Sequence, residues 1–335
     1  MSLPRSWRDP EKIRPCRPRP VTDAPAQIAD SKVGQLDFLL HRSGALELID
    51  GELQGRPGPE GLPVRTVLVG LLLALHYNAS ASLADACRIL LDQLTPTART
   101  WLGVPDFDRT DDWARIAFSR RLYRSFDRLT TALDPARCDR RRRLPLAEAG
   151  EYAAAWEDDD AEHVRRRALL QEISDRLVLI TVRLAQRRGH LQNWRGDIGV
   201  DTTSVPAWHH PASHRRELAS VETTAGWHFS GGSDEGIFGH SATLLVAASR
   251  RHPAGRANAG RRVGKHPQLA LGLVLDTPGK RVGPNAVHAL NALSPLGLPI
   301  GLLAADRAYT DQRSEHFQQP ARRLGYQLAL DYKQE

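Results

Sequence analysis

The residues G-D-I-G-V-D-T-T-S-V-P, Gly196 to Pro206, decide how the rest of the chain is read. Ile198, Val200 and Val205 alternate with polar neighbours, the pattern of a strand buried on one face. Asp201 stands in the middle of it. A carboxylate on a core strand is costly to bury unless something pairs with it, so Asp201 is expected to be hydrogen-bonded or to hold a cation. Farther on, I-G-L-L-A-A-D-R-A-Y, Ile300 to Tyr309, repeats the pattern with an apolar strand that ends in Asp306. The two acids are read as meeting and holding a divalent metal ion.

Between these two stretches the pattern supplies the rest of a sheet. After Pro206 the chain is irregular and rich in His and Trp. Gly239 to Ala248 and Pro267 to Asp276 then read as strands, Asn285 to Leu293 as a helix, and Pro299 to Ala305 as the strand that carries Asp306. Thr310 to Leu324 reads as a helix that Pro320 is positioned to break, and Tyr326 to Leu330 as a last strand. The order β-β-β-α-β-α-β is a meander followed by crossovers, which predicts an α/β (mixed α+β) domain with a mixed sheet rather than a doubly wound parallel one. The loop joining the second and third strands carries Arg250, Arg251, Arg256, Arg261, Arg262 and Lys265 and no acid. Six like charges repel one another, and laid along a nucleic-acid backbone they would release counterions; a solvated hairpin tip is the plainer alternative.

Upstream the periods are helical. Leu36, Leu39 and Leu40 share a face. Pro63 sits where a helix would begin, and Val64, Val67, Leu68, Leu71, Leu72 and Leu75 recur at helical spacing. Ser80 and Ser82 are N-cap types for a helix through Leu94. A long helix around Trp113 ends near Leu133 and carries Arg115, Arg120, Arg121, Arg124 and Arg128, read either as phosphate contacts or as a solvated face. Ala161 to Arg188 is a strong amphipathic helix with Gly189 as its C-cap. The divisions expected are a disordered basic arm over 1–30, an all-helical N-terminal domain of DNA-binding or dimerisation type over 31–135, a linker over 136–160 and the sheet domain over 161–335.

Composition bounds the function. The chain has 335 residues, is 41% hydrophobic and 25% charged, and carries a net charge of +7, which fits a globular protein with a polyanionic partner. Only five of the basic residues are Lys, so a coding bias toward Arg is the bland source of that charge. Cys16, Cys87 and Cys138 are scattered, implying neither a disulfide framework nor a zinc knuckle. With no apolar leader and no run near the ~20 residues a spanning helix needs, a cytoplasmic protein with no membrane partner is expected.

Two carboxylates about 4 Å apart repel by ~4 kcal/mol at an effective dielectric of 20, so a site that keeps both charged wants a cation between them. Hard oxygen ligands select Mg²⁺ or Mn²⁺. D-T-T on the first strand, the basic meander and L-L-A-A-D-R-A-Y are similar to the catalytic core of DDE transposases of bacterial insertion sequences. The resemblance covers residues 195–335 and, more loosely, the helical region from Ala29 to Leu133. It implies a ribonuclease H-like fold, Asp201 and Asp306 as catalytic, metal-holding acids, and Mg²⁺ (or Mn²⁺) as cofactor. It also implies Arg307 and Tyr309 at the DNA beside the basic loop, and DNA partners in the form of terminal inverted repeats and target DNA, with a possible homodimer. The family's third acid is a Glu on a helix after the fifth strand; here the chain reaches D-Y-K-Q-E and neither Asp331 nor Glu335 is assigned that part. A C-terminally incomplete transposase with little strand-transfer activity of its own is therefore expected. The alternatives are a non-catalytic DNA-binding remnant or regulator and an unrelated metal-dependent nuclease. Asp306 as a mere helix cap, Asp201 as partner to a buried Arg, and zinc on His209, His210, His214 and His228 are the readings that compete at single residues.

Overall fold

A computed structural model describes residues 27–56, 61–135, 143–157, 161–213, 216–229, 236–248 and 266–331. The six basic residues of the loop at 250–265, most of the N-terminal arm, the arginine run before Arg143, His214 and Glu335 lie outside the described residues. The chain divides into two compact units. One is helical and comprises Arg14–Pro135 with Arg165–Ile173. The other contains the sheet and includes Ala136–Val164 and Ser174–Glu335.

The helical unit is built from α1 (Asp30–Ser43), α2 (Ala45–Leu53), α3 (Val64–Asn78), α4 (Leu83–Arg88) running into a π-helical turn (Ile89–Gln93), α5 (Pro96–Leu102) and α6 (Asp112–Leu133). Local chemistry sets these boundaries. Gly44 takes φ 72°, a left-handed value that costs glycine nothing, and ends α1. The Ser82 hydroxyl accepts from the Asp85 N–H, and Thr95 accepts from the Ala98 N–H with Pro96 at the first helical position. Asp37 is almost fully buried, and Arg65 answers its charge with two bonds, Nε to Oδ1 at 2.5 Å and a second at 2.8 Å to Oδ2. Leu40, Leu73, Ile89, Leu90, Leu102 and Leu122 fill the core.

In the second unit, α7 (Leu146–Glu157) occupies part of what the sequence presents as a linker. Its apolar Leu146, Ala149 and Tyr152 recur at 3-residue spacing, a period masked by the flanking charge runs, and they pack with Leu144 and Ala219. Helix α8 (Ala161–Arg187), of which Arg165–Ile173 belongs to the helical unit, then leads to β1 (Ile198–Pro206). The remaining elements are β2 (Gly226–Phe229), β3 (Gly236–Ala247), β4 (Ala270–Asp276), α9 (Val282–Leu293), β5 (Leu302–Ala305), α10 (Arg307–Thr310), α11 (Gln318–Arg323) and β6 (Gln327–Leu330). The long helix expected over 310–324 is thus two short ones with a 3₁₀ turn at Ser314–His316 between them. Pro320 lies in the first turn of α11, where its missing N–H breaks no bond.

The six-stranded mixed sheet runs β2-β3-β1-β5-β6, with β4 also paired to β3. β1 is antiparallel to β3 and parallel to β5, which is parallel to β6. β2 was not legible as a strand. It continues the long β3 beyond β1, and Phe229 lies against Gly236 opposite it, so that a Cβ there would meet the ring at 2.4 Å. One sheet face holds Ile198, Val200, Leu245, Leu303 and Ala305, packed with Val182 and Ala185 of α8 and with Ala286, Ala289 and Leu290 of α9. Gly272 lets α9 come close, since a Cβ would meet that of Ala289 at 2.8 Å. Burying each Leu or Ile there contributes roughly 1.5–3 kcal/mol.

A carboxylate row as the candidate functional site

Two residues of the opening stretch anchor the site from below. Gly196 adopts φ +81° and presses against the backbone of Pro299, and its carbonyl accepts from the Gly301 N–H at 3.1 Å. The buried Asp197 carboxylate accepts from the Leu302 N–H at 2.8 Å, while its carbonyl accepts from the Trp194 indole at 3.0 Å. These bonds fix where β5 starts against β1. The pairing that follows sets Val200 beside Ala305 and Ala305 beside Leu330. The next residue on each strand is an acid: Asp201, Asp306, Asp331. The Asp331 N–H donates to the Ala305 carbonyl at 3.2 Å, carrying the same register one step farther. Side chains alternate along a strand, so all three acids fall on the face opposite the Val200–Ala305 core.

Together they line an open depression of about 560 Å³, floored by Val200, Ala304, Ala305, Ala329 and Leu330. The sequence pairs Asp201 with Asp306, and the structure brings them to one place. It adds Asp331, to which the sequence assigned no part. The signal that finds it is register: an acid directly after the last strand of a parallel ladder stands beside the acid directly after the strand before it.

Asp201 is exposed rather than buried in the core, because it occupies the outward position of β1. Its Oδ1 accepts from the Thr202 N–H at 2.7 Å, and among the described residues no arginine pairs with it. Asp306 caps α10, its Oδ1 accepting from the Ala308 N–H at 3.0 Å. Capping and carboxylate pairing therefore coexist at this residue. Desolvation pushes the Asp306 carboxyl above its ordinary range, and the charges of Asp201 and Asp331 push the same way against the Ala308 bond. The residue is exposed, so solvent screens much of this.

Of the two residues expected at DNA beside Asp306, one is buried and one is exposed. Tyr309 is fully buried: its hydroxyl lies 2.9 Å from the Thr202 Oγ1 and also bonds Thr243, and its ring packs on Phe317. It sits three residues past Asp306 on the single turn of α10, which directs it under the sheet instead of outward. Burial pushes its phenol up to about 12. Tyr309 is thus a support for the strand that carries Asp201. Arg307 is exposed, with its Nε 3.2 Å from Asp331 Oδ2.

The described histidines do not gather. His209 lies 3.5 Å from Glu222, and His240 contacts the Thr224 hydroxyl at 3.3 Å. Among the described residues no group of three or more His, Cys, Asp or Glu is placed so that it could hold a metal ion, the three-acid row included. The carboxylate row is instead an open edge. Its donors are hard oxygens, with one oxygen of each acid free of hydrogen bonds among the described residues. Hard oxygens are the ligand type that Mg²⁺ and Mn²⁺ take. No single helix among the described residues is long and apolar enough to cross a membrane. Comparison with protein-family models, with curated proteins and with solved structures finds no match to this chain.

Proposed function

We propose that the sheet unit is the catalytic core of a DDE-type transposase with a ribonuclease H-like fold, acting on DNA with Mg²⁺ or Mn²⁺. The observation that carries the reading is the in-register placement of Asp201 and Asp306 on neighbouring parallel strands. The element order supports it as well: with the short β2 set aside, the strands and helices follow β-β-β-α-β-α-α-β, two short helices standing where the sequence pattern has one. Asp201 and Asp306 would hold the ion, with Asp331 in reach of the same depression. When bound, such an ion activates a hydroxyl or water and stabilises the leaving oxygen in phosphoryl transfer. The chain's own residues supply the rest. Tyr309 and Thr202 hold β1 from beneath, and the Asp197 and Gly196 bonds hold β5 in phase with it. Arg307 stands at the rim, where releasing Asp331 would turn its charge toward a phosphate.

A second reading, a non-catalytic DNA-binding protein, draws on the Arg307–Asp331 pair, which already occupies one acid of the row. Isothermal titration with MgCl₂ and gel retardation on duplex DNA separate the two. The transposase reading expects metal uptake that Asp201→Asn and Asp306→Asn abolish, with DNA retention preserved or improved as a negative charge leaves. DNA retention in a wild-type chain that takes up no metal ends it.

A further inference from the structure

The ion pair at the rim of the row is built differently from the pairs that hold the fold together. Arg65 meets the buried Asp37 through two bonds, and Arg281 meets the buried Asp276 through two more of 2.9 and 2.6 Å. Arg307 meets Asp331 through its Nε alone, at 3.2 Å, with the two side chains 55% and 63% exposed. Its terminal nitrogens make no hydrogen bond among the described residues, so most of the guanidinium's donors are unused. Asp331 does not need this contact to keep its place. Its N–H donates to the Ala305 carbonyl at 3.2 Å, and its carbonyl accepts from the Thr310 hydroxyl at 3.3 Å. The carboxylate therefore stays beside Asp306 with or without Arg307, and the contact matters for charge rather than for position. Reaching from the residue next to Asp306 across to Asp331, the guanidinium leaves the row with two uncompensated charges in place of three.

We propose that Arg307 is a built-in counter-ion that holds the row in check, and that a nucleic-acid phosphate releases it by drawing the guanidinium off Asp331. This latch presupposes the phosphoryl-transfer reading above and adds to it how the site is controlled. In the state described the three acids are not placed to hold a metal ion. With Arg307 withdrawn, Asp331 has both oxygens free to join those of Asp201 and Asp306. A guanidinium suits the exchange because the same planar fork binds carboxylate and phosphate. Phosphate and divalent ion then favour one another, since each is bound better once the other has parted Arg307 from Asp331, and linkage makes the effect reciprocal. An exposed ion pair moves an equilibrium by at most about fivefold, so the latch biases the site and does not seal it.

A cycle of wild type, Arg307→Gln, Asp331→Asn and the double variant tests it. Each protein is titrated with MgCl₂ by calorimetry and, without divalent ions, with a fluorescent DNA duplex by anisotropy. Arg307→Gln should tighten Mg²⁺ by about fivefold in the wild-type background and by under about twofold beside Asp331→Asn. Asp331→Asn should tighten the duplex by about fivefold where Arg307 is present and leave it unchanged where Arg307 is replaced. Arg313→Gln, which removes an exposed charge from the same segment, should leave the Mg²⁺ titration unchanged. Asp331→Ser takes the place of Asp331→Asn should circular dichroism show lost structure. Equal gains in both backgrounds are general electrostatics and overturn the latch, as does no change with either ligand. Adding Asp306→Asn to the Arg307→Gln protein separates this from failure of the functional reading. Mg²⁺ uptake that survives it removes the row as the metal site, and the latch with it. Uptake lost there, joined to an additive cycle, removes the latch alone. No uptake by any of the proteins overturns both.

Discussion

Asp306 does two jobs that substitution can separate. Its Oδ1 accepts from the Ala308 N–H as the cap of α10, and its charge stands beside Asp201 and Asp331. Asn caps a helix about as well as Asp, whereas Ala does not, and losing a cap costs typically ~1 kcal/mol. Neighbouring strands lie about 4.8 Å apart. Two unit charges at that spacing repel by ~1 kcal/mol in water and ~3.5 kcal/mol at an effective dielectric of 20, and the exposure of both residues points to the lower figure. Without a divalent ion, Asp306→Asn should therefore stabilise the sheet unit by about 1 kcal/mol, while Asp306→Ala loses the cap as it gains the relief and lands near zero. With Mg²⁺ at tenfold its dissociation constant, the wild type should gain about 1.4 kcal/mol and both variants nothing. Calorimetric melts of the three proteins with and without MgCl₂ read this directly. If both variants destabilise by the same amount and the wild type ignores Mg²⁺, the carboxylate is a structural cap and the functional reading loses its main residue.

Tyr309→Phe should destabilise by about 1–2 kcal/mol, because the hydroxyls of the half-buried Thr202 and the buried Thr243 lose a shared partner; urea unfolding that matches wild type, joined to weakened DNA retention, would return Tyr309 to the surface role its sequence context suggests. His288 Nε2 donates to Asp175 Oδ2 at 2.9 Å, and that bond, with the Asp175 charge, raises the imidazole above its usual 6.5. A raised folded value means stability present in full below pH 6.5 and lost as pH climbs through the folded value. The pair is half exposed, so under ~1 kcal/mol is at stake. Unfolding free energies at pH 5.5 and 8.5 should fall farther across that interval for wild type than for Asp175→Asn, and equal slopes would refute the pairing.

What the sequence made legible follows from how local the signal was. Strong periods located α3, α6, α8 and the core strands, because a helical stripe or an alternating strand declares its buried side residue by residue. α7 was lost among charge runs, and β2 is four residues whose pairing partner, β3, is set by tertiary context. At the site, Asp201 and Asp306 were legible because each follows or sits in an apolar strand. Asp331 was not, since its place beside Asp306 depends on strand register rather than on any motif. Tyr309 was misplaced for a related reason: a motif gives spacing, while the single turn of α10 decides which way the ring points.

The stitch between Gly196 and Gly301 has a consequence for how this protein can change. β5 pairs with β1 over only three positions, so little besides those bonds at its start holds its phase. A one-residue deletion in the Gly297–Ile300 connection that dragged the strand would swing Asp306 to the side now filled by the Tyr309 ring. A two-residue change would shift it along the strand yet keep it outward. Length variation before β5 should therefore be tolerated by parity rather than by size, and a ladder of deletions there would read out the site's phase like the teeth of a vernier.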